Sequence, residues 1–224
     1  MERAVGKILV LAVALIMGAG CETAEFAAEG APAASGNVLL RGAAPEEASV
    51  MGVNAPQTAP PAGFIDFCLR NAGQCVATAD EPKIVRLEER TWATLEIVNQ
   101  RVNHAIKFED DKEHYGRAEF WTIPKDGHGD CEDYALMKRK ELMDAGLPEK
   151  ALRVAVVRTQ RGEGHAVLTV STDHGDYVLD NREWEILPWT KVNYIWLSRQ
   201  DGENPMAWIA LQHVKAIAPI VALQ

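Results

Sequence analysis

Clusters of lysine and arginine are missing from this 224-residue chain, which carries a formal charge of −9. A surface that grips phosphate backbones needs a basic stripe, so nucleic acid is excluded as a partner. Long apolar runs are missing as well. The run Ile8 to Met17 has ten residues, too few to span a bilayer. Cysteine is scarce, with four in the chain, and residues 22–61 hold almost no aromatics. A segment so rich in Ala, Gly, Pro and Glu cannot bury enough apolar surface to offset the entropy of ordering it. Residues 21–61 are therefore expected to form a flexible tether, in which Asn37 to Arg41 is the stretch able to add an edge strand.

The chain begins like an export signal. Arg3 and Lys7 precede the apolar run and Gly18-Ala19-Gly20 follow it, the pattern of a signal peptide over residues 1–20. Cys21, directly after Ala19-Gly20, also resembles the lipid-attachment cysteine of bacterial lipoproteins, although Gly18 stands where that motif wants Leu or a similar apolar residue. An exported, periplasmic protein is the expectation, with a lipid anchor at Cys21 as its one route to a membrane. Residues 62–224 remain, long enough for one well-buried domain.

The cysteines sort themselves by context. Cys68 and Cys75 are separated by six residues including Asn71 and Gly73, a spacing that a turn can close into a disulfide, which export permits. With Cys21 in the leader or a lipid anchor, Cys131 is left alone. A lone thiol in an oxidising compartment is either buried and inert or reactive for a purpose.

Apolar residues Ile84, Leu87, Leu95, Val98, Val102 and Ile106 recur at three- and four-residue spacings, which predicts a long amphipathic helix between Glu81 and Glu109. Residues 110–129 contain Gly116, Pro124, Gly127 and Gly129 and read as an irregular lead-in, where Trp121 and His128 are candidates for a cleft wall as well as for packing. A second helix is expected to start at Asp130 as N-cap, with Asp133 as its capping-box partner and Cys131 at the first helical position, and to stop at Gly146-Leu147-Pro148. The period then changes to two. Leu152 to Thr159, His165 to Thr172 and Tyr177 to Asn181 predict three antiparallel strands, followed by Tyr194 to Leu197 and Trp208 to Val214. Helices followed by an antiparallel β-sheet make the fold α+β.

A cysteine nucleophile needs its thiolate, which a helix N-terminus favours, and a base such as histidine held by a carboxylate. His165 opens one strand and Asp180 ends the next. If their hairpin pairs residues whose numbers add to 345 or 347, the two side chains share one face. The spacing permits a triad of Cys131, His165 and Asp180.

Three blocks carry a more specific signal. Gly129-Asp130-Cys131-Glu132-Asp133-Tyr134-Ala135, Gly162-Glu163-Gly164-His165-Ala166-Val167-Leu168 and Val178-Leu179-Asp180-Asn181, in this order, resemble the signature blocks of the bacterial transglutaminase-like cysteine proteinases. That family includes the LapG-type periplasmic proteases that clip large surface adhesins. The similarity runs from about Phe64 to the Pro205 to Trp208 region. It implies a papain-like, transglutaminase-like core, a protein or peptide substrate of which a surface adhesin is one case, and peptide hydrolysis with Cys131 as nucleophile, His165 as base and Asp180 as orienting carboxylate.

The resemblance also implies calcium, with Asp130, Glu132 and Asp133 matching an acidic metal site next to the nucleophile. Physical chemistry points the same way. Three carboxylates beside a thiol raise its pKa unless a cation neutralises them, and hard oxygen donors suit calcium. A regulatory protein would be a further partner. Three rivals remain open: a peptidoglycan endopeptidase or amidase, a true transglutaminase, and a non-catalytic calcium-dependent binding module.

Overall fold

The computed structural model describes residues 47–52, 56–76 and 80–211, together with the backbone of 216–217. The signal sequence, Cys21 and the tether up to residue 46, with its Asn37 to Arg41 stretch, lie outside the described residues. The chain opens with β1 (Val50–Met51), β2 (Gln57–Thr58), α1 (Ala62–Arg70) and a 3-10 turn at Ala72–Gln74. Then come α2 (Glu89–Ala105), β3 (Lys107–Phe108), α3 (Asp111–His114), β4 (His128–Gly129) and α4 (Cys131–Asp144). After a 3-10 turn at Glu149–Ala151 the rest is β: β5 (Leu152–Arg158), β6 (Gly164–Thr172), β7 (Gly175–Leu179), β8 (Leu187–Pro188), β9 (Ile195–Gln200), β10 (Trp208–Ala210) and β11 (Ala216–Ile217). Among the described residues no helix is long and apolar enough to cross a membrane.

Seven strands form one antiparallel sheet in the order β2-β10-β9-β5-β6-β7-β8. The strand period of two gives this sheet two apolar faces. Leu152, Val154, Leu168, Val170 and Leu179 meet Phe64, Phe67, Leu95, Val98, Leu136 and Leu142 from the helices. The alternate residues Ala155, Val157, Val167 and Val178 pack against Met51, Trp189, Trp196 and Ile209 on the other side. Within the helical layer α4 lies on β6 and β5, and α2 lies on α4. The mixed α+β class expected from the helix-then-strand order is the one observed.

Several boundaries differ from the sequence expectation; β7 is Gly175–Leu179 and not Tyr177 to Asn181, so Asp180 lies just past its end, and β10 stops at Ala210. Packed structure begins before Ala62: Ala48 and Met51 are buried, the Ala48 amide donates to His174 O at 2.9 Å, and the Asp176 amide donates to Ser49 O at 3.1 Å. Composition averaged over forty residues cannot register two buried side chains. The long helix is also shorter than its apolar pattern, starting at Glu89 and not near Glu81. Val85 instead forms a parallel bridge with Thr172, and its amide donates to Ser171 O at 2.8 Å. Ile84 is consequently exposed. The predicted disulfide between Cys68 and Cys75 is present, joining α1 to the end of the first 3-10 turn with Cα atoms 5.6 Å apart. The stop at Gly146 is a complete Schellman closure, with the Leu147 amide on Leu142 O and the Gly146 amide on Met143 O.

The hairpin between β6 and β7 sets the site. Its pairs, such as Leu168 with Leu179 and Thr172 with Gly175, have numbers that add to 347, one of the two registers that align His165 with Asp180. The loop is only Asp173-His174, and Gly175 takes φ +104°. A side chain there would collide with the Ala48 carbonyl. Gly175→Ala is therefore expected to lower unfolding free energy by at least about 2 kcal/mol, from left-handed backbone strain and the collision together. A urea-denaturation midpoint checks this, and an unchanged midpoint contradicts it.

Candidate active site and acidic cluster

Cys131 owes its place to a short parallel pair. β4 runs beside β3, with the Lys107 amide on Gly127 O at 2.8 Å and the Glu109 amide on Gly129 O at 3.0 Å. This carries Asp130 in an extended conformation to the point where α4 starts. The Asp133 and Tyr134 amides donate to Asp130 O at 3.1 and 3.2 Å, so Cys131 is the first helical residue, as expected. The capping box is not formed. Asp130 makes no side-chain cap bond, and Asp133 Oδ1 accepts the Thr122 amide at 2.7 Å. Gly129 leaves the space for Asp133: a Cβ there would lie 2.5 Å from Asp133 Oδ2.

Because α4 lies across β6, the Cys131 thiol reaches the third residue of that strand. The Ala166 amide donates to Cys131 Sγ at 3.3 Å. Next to Ala166, His165 is 2 % exposed, and its Nε2 lies 2.9 Å from Asp180 Oδ1. The hairpin register places these two diagonally on one face. Asp180 is held from several sides: Oδ1 accepts the Arg182 amide at 3.0 Å, Oδ2 accepts the Tyr194 hydroxyl at 2.6 Å, and Asn103 Nδ2 from α2 donates to Asp180 O at 2.8 Å. Burial opposes the charge on Asp180, but His165, Tyr194 and the Arg182 amide outweigh it and hold the carboxyl below its usual range. With Nε2 committed to the carboxylate, His165 Nδ1 is buried and has no hydrogen-bond partner among the described residues. In the neutral tautomer that bond selects, Nδ1 is a bare base.

The acids around Cys131 divide into two groups. Glu132 Oε2 accepts from the Cys131 thiol at 3.1 Å, and Asp130, Cys131 and Glu132 form one cluster. Asp130 and Asp133 form the other, completed by Asp111 at the start of α3, with ligand atoms within 4.8 Å of one another. Among the described residues Asp111 Oδ1, Asp130 Oδ1 and Asp133 Oδ2 are all buried without a hydrogen-bond partner, while Asp111 Oδ2 accepts the Phe120 amide. Burial, then neighbouring carboxylates, push Asp133 up to about 8 and raise Asp111, Asp130 and Glu132. Burial and then Glu132 push the Cys131 thiol well above its ordinary value.

Residues 54–216 match the sequence profile of the bacterial transglutaminase-like cysteine proteinases, well over half of the chain. The chain belongs to that family. It is a cysteine peptidase. A search of curated proteins found no significant match. Among solved structures the fold is similar to Legionella pneumophila LapG in a calcium-bound form, with 24 % identity over 59 % of this chain and 74 % of LapG and a TM-score of 0.47. An EGTA-treated form gives 25 % identity over 56 % and 72 % with a TM-score of 0.47, and a further LapG structure 26 % over 54 % and 69 % with 0.46.

Several residues of this proteinase site escape a reading of its sequence. Asp111 sits in the irregular lead-in, nineteen residues before Asp130, and no spacing rule joins them. Asn103 looks like a polar residue of an amphipathic helix and Tyr194 like an aromatic strand residue. Trp121, a candidate for the cleft wall, is packed instead: it is buried, meets Phe64 edge-on at 5.8 Å, and donates its indole N–H to Glu119 Oε2 at 2.9 Å. His128 is half-buried, on β4.

Lys138 is a further surprise, because a lysine two turns along α4 from Cys131 reads as a solvated charge. It is fully buried, and its Nζ has no hydrogen-bond partner. Burial lowers its ammonium to about 7, with Asp180 pulling the other way. A folded-state pKa below the unfolded value means that the unfolded chain holds the extra proton between about pH 7 and 10.5, so this group makes stability rise with pH across that window. Lys138→Met is expected to stabilise the proteinase more at pH 6 than at pH 9, read as the difference from wild type in urea melts. Equal differences at the two pH values would contradict the buried-ammonium assignment.

Proposed function

We propose that this proteinase is an exported, periplasmic endopeptidase whose triad is Cys131, His165 and Asp180. The observation that carries the reading is the Ala166 amide on Cys131 Sγ beside a His165–Asp180 pair whose Nδ1 is bare. In this scheme His165 Nδ1 takes the thiol proton and Cys131 Sγ adds to the substrate carbonyl. The oxyanion is stabilised by the Cys131 backbone N–H at the positive end of α4. As the C–N bond breaks, His165 passes its proton to the leaving amine, and a thioester remains on Cys131. His165 then draws a proton from water as the water oxygen adds to the thioester carbonyl; the C–S bond breaks, the acid leaves, and the proton on His165 returns to Cys131 Sγ. Asp180 stays ionised throughout and holds the ring by Nε2.

Of the acids expected to bind calcium, Asp130 and Asp133 would hold the ion together with Asp111, while Glu132 accepts from the Cys131 thiol instead. The fit rests on three buried carboxylate oxygens without partners, all hard donors. When bound, the ion supplies the positive charge that lets these acids ionise and relieves the thiol of their field. The substrate is a protein; the resemblance suggests a large surface adhesin, and a regulatory protein as a second partner.

Thiol labelling tests the triad without a known substrate. At pH 6 an ordinary thiol, with a pKa of about 8.5, is under about 1 % thiolate and labels slowly. With calcium present, Cys131 is expected to react with iodoacetamide at least tenfold faster than that, and His165→Ala to remove the advantage. Slow labelling of wild type, equal to the variant, would sink the proposal.

A further inference from the structure

We infer that Tyr194 is a positioning residue: its phenol pins the second oxygen of Asp180 and thereby orients the His165 ring for proton transfer at Nδ1. The inference rests on the triad reading and adds a member to it. A carboxylate turns easily about its last torsion, which is broad and two-fold. Both the His165 and the Arg182 amide contacts fall on Oδ1, at 2.9 and 3.0 Å, so they leave that rotation weakly fixed. The Tyr194 hydroxyl on Oδ2 at 2.6 Å supplies the missing constraint. The same ring meets the His165 ring edge-on, with centroids 5.4 Å apart, and so covers its flank.

Tyr194 reaches this position through a defect in the sheet. β9 pairs with β5 as Ala155 with Arg199 and Val156 with Ser198, and then shifts by one residue to pair Val157 with Trp196. Val157 is also the partner of His165 on β6, so Trp196 and His165 share a face. Tyr194, two residues before Trp196, falls on that face too. Had the first register continued, Val157 would face Leu197, and Trp196 and Tyr194 would point to the opposite side. Side-chain alternation allows only those two outcomes. Bulges commonly re-aim a side chain beside an active site, and this one is a single residue wide. The other charged groups around the pair, Lys138, Arg182 and Glu183, make no side-chain hydrogen bond to Asp180 among the described residues.

The test is the rate at which iodoacetamide alkylates Cys131 of the full chain, with calcium, across about pH 5 to 9. Wild type, Tyr194→Phe and His165→Ala are compared. Tyr194→Phe keeps the ring and deletes one hydrogen bond to a charged group, so the rate at pH 6 is expected to fall about tenfold and the profile to move to higher pH. With a cleavable peptide, kcat is expected to fall by a similar factor at unchanged KM. Superimposed profiles for wild type and Tyr194→Phe overturn the role of Tyr194. A wild-type profile matching His165→Ala overturns the triad itself, a separate failure. Should Tyr194→Phe not fold, the wild-type proton spectrum decides: a protected, downfield Tyr194 hydroxyl proton that moves as His165 is protonated is expected, and free exchange with water refutes the clamp.

Discussion

Cys131→Ala protein is expected to fold and to have lost at least about a thousandfold in peptide hydrolysis. Removal of a nucleophile from a working triad costs on the order of 10⁶ in kcat in well-studied cases, and the residue of rate that survives comes from binding and the oxyanion site. The fold has little to lose. Alanine is the best helix former and the position is the first of α4, where the thiol accepts one amide from Ala166 and donates to Glu132. The change also takes a half-buried thiol away from a buried acid, so the thermal midpoint is expected to stay within about 3 °C of wild type. Activity on a peptide or protein substrate and a melting curve on the same sample make the check. An active, folded Cys131→Ala protein would end the nucleophile assignment.

The second large effect concerns calcium. Burial holds Asp133 at about 8 without a cation, and Asp111 and Asp130 are raised too. A carboxyl whose folded pKa lies above its unfolded value binds more protons in the folded state. Stability of the calcium-free protein therefore falls as pH rises from the unfolded value near 4 toward about 8. An ion that requires the ionised carboxylates reverses this. At a hundred times its dissociation constant, calcium stabilises by about 2.7 kcal/mol, which for a chain of this size raises the midpoint by roughly 5 to 10 °C. The gain is expected to be larger at pH 8 than at pH 5, and a chelator is expected to slow Cys131 labelling along with it. Asp111→Asn and Asp133→Asn should each lose the response. A midpoint indifferent to calcium at both pH values would remove the metal from this reading, and an Asp111→Asn protein that responds normally would remove Asp111.

The placement of Cys131 at a helix start and of His165 beside Asp180 is legible in the sequence because each part is local. Cys131 at a helix start is a matter of which residue precedes the apolar pattern. His165 and Asp180 need only the parity of one short hairpin. The disulfide, a seven-residue separation, is equally local. What escaped depends on distant segments. Asp111 joins Asp130 only because β3 and β4 lie parallel, a two-residue pairing too short to leave a pattern. The cap role expected of Asp130 and Asp133, one of two uses the sequence suggests beside metal binding, is not realised, because the neighbouring Thr122 and Asp111 amides claim their carboxylates. Lys138 and the late start of the long helix share a cause. Periodicity marks what is apolar, but cannot say that a charged residue is buried or that Val85 has been taken by a strand edge.

The two-residue turn at Asp173-His174 also bears on how this site tolerates change in length. Between His165 and Asp180 the chain must be counted out correctly, because alternation assigns each residue to a face by parity. A substitution in β6 or β7 alters one contact and leaves that parity intact. A single inserted or deleted residue, unless extruded as a bulge, moves Asp180 to the far side of the sheet while leaving its neighbours chemically unchanged. The Thr172 hydroxyl locks the turn by donating to Gly175 O at 2.8 Å and accepting the His174 amide at 3.0 Å, leaving no slack to absorb an extra residue. For this hairpin, then, length constrains the site more than composition does, so tags or loops grafted into it are expected to part His165 from Asp180 even where the protein still folds.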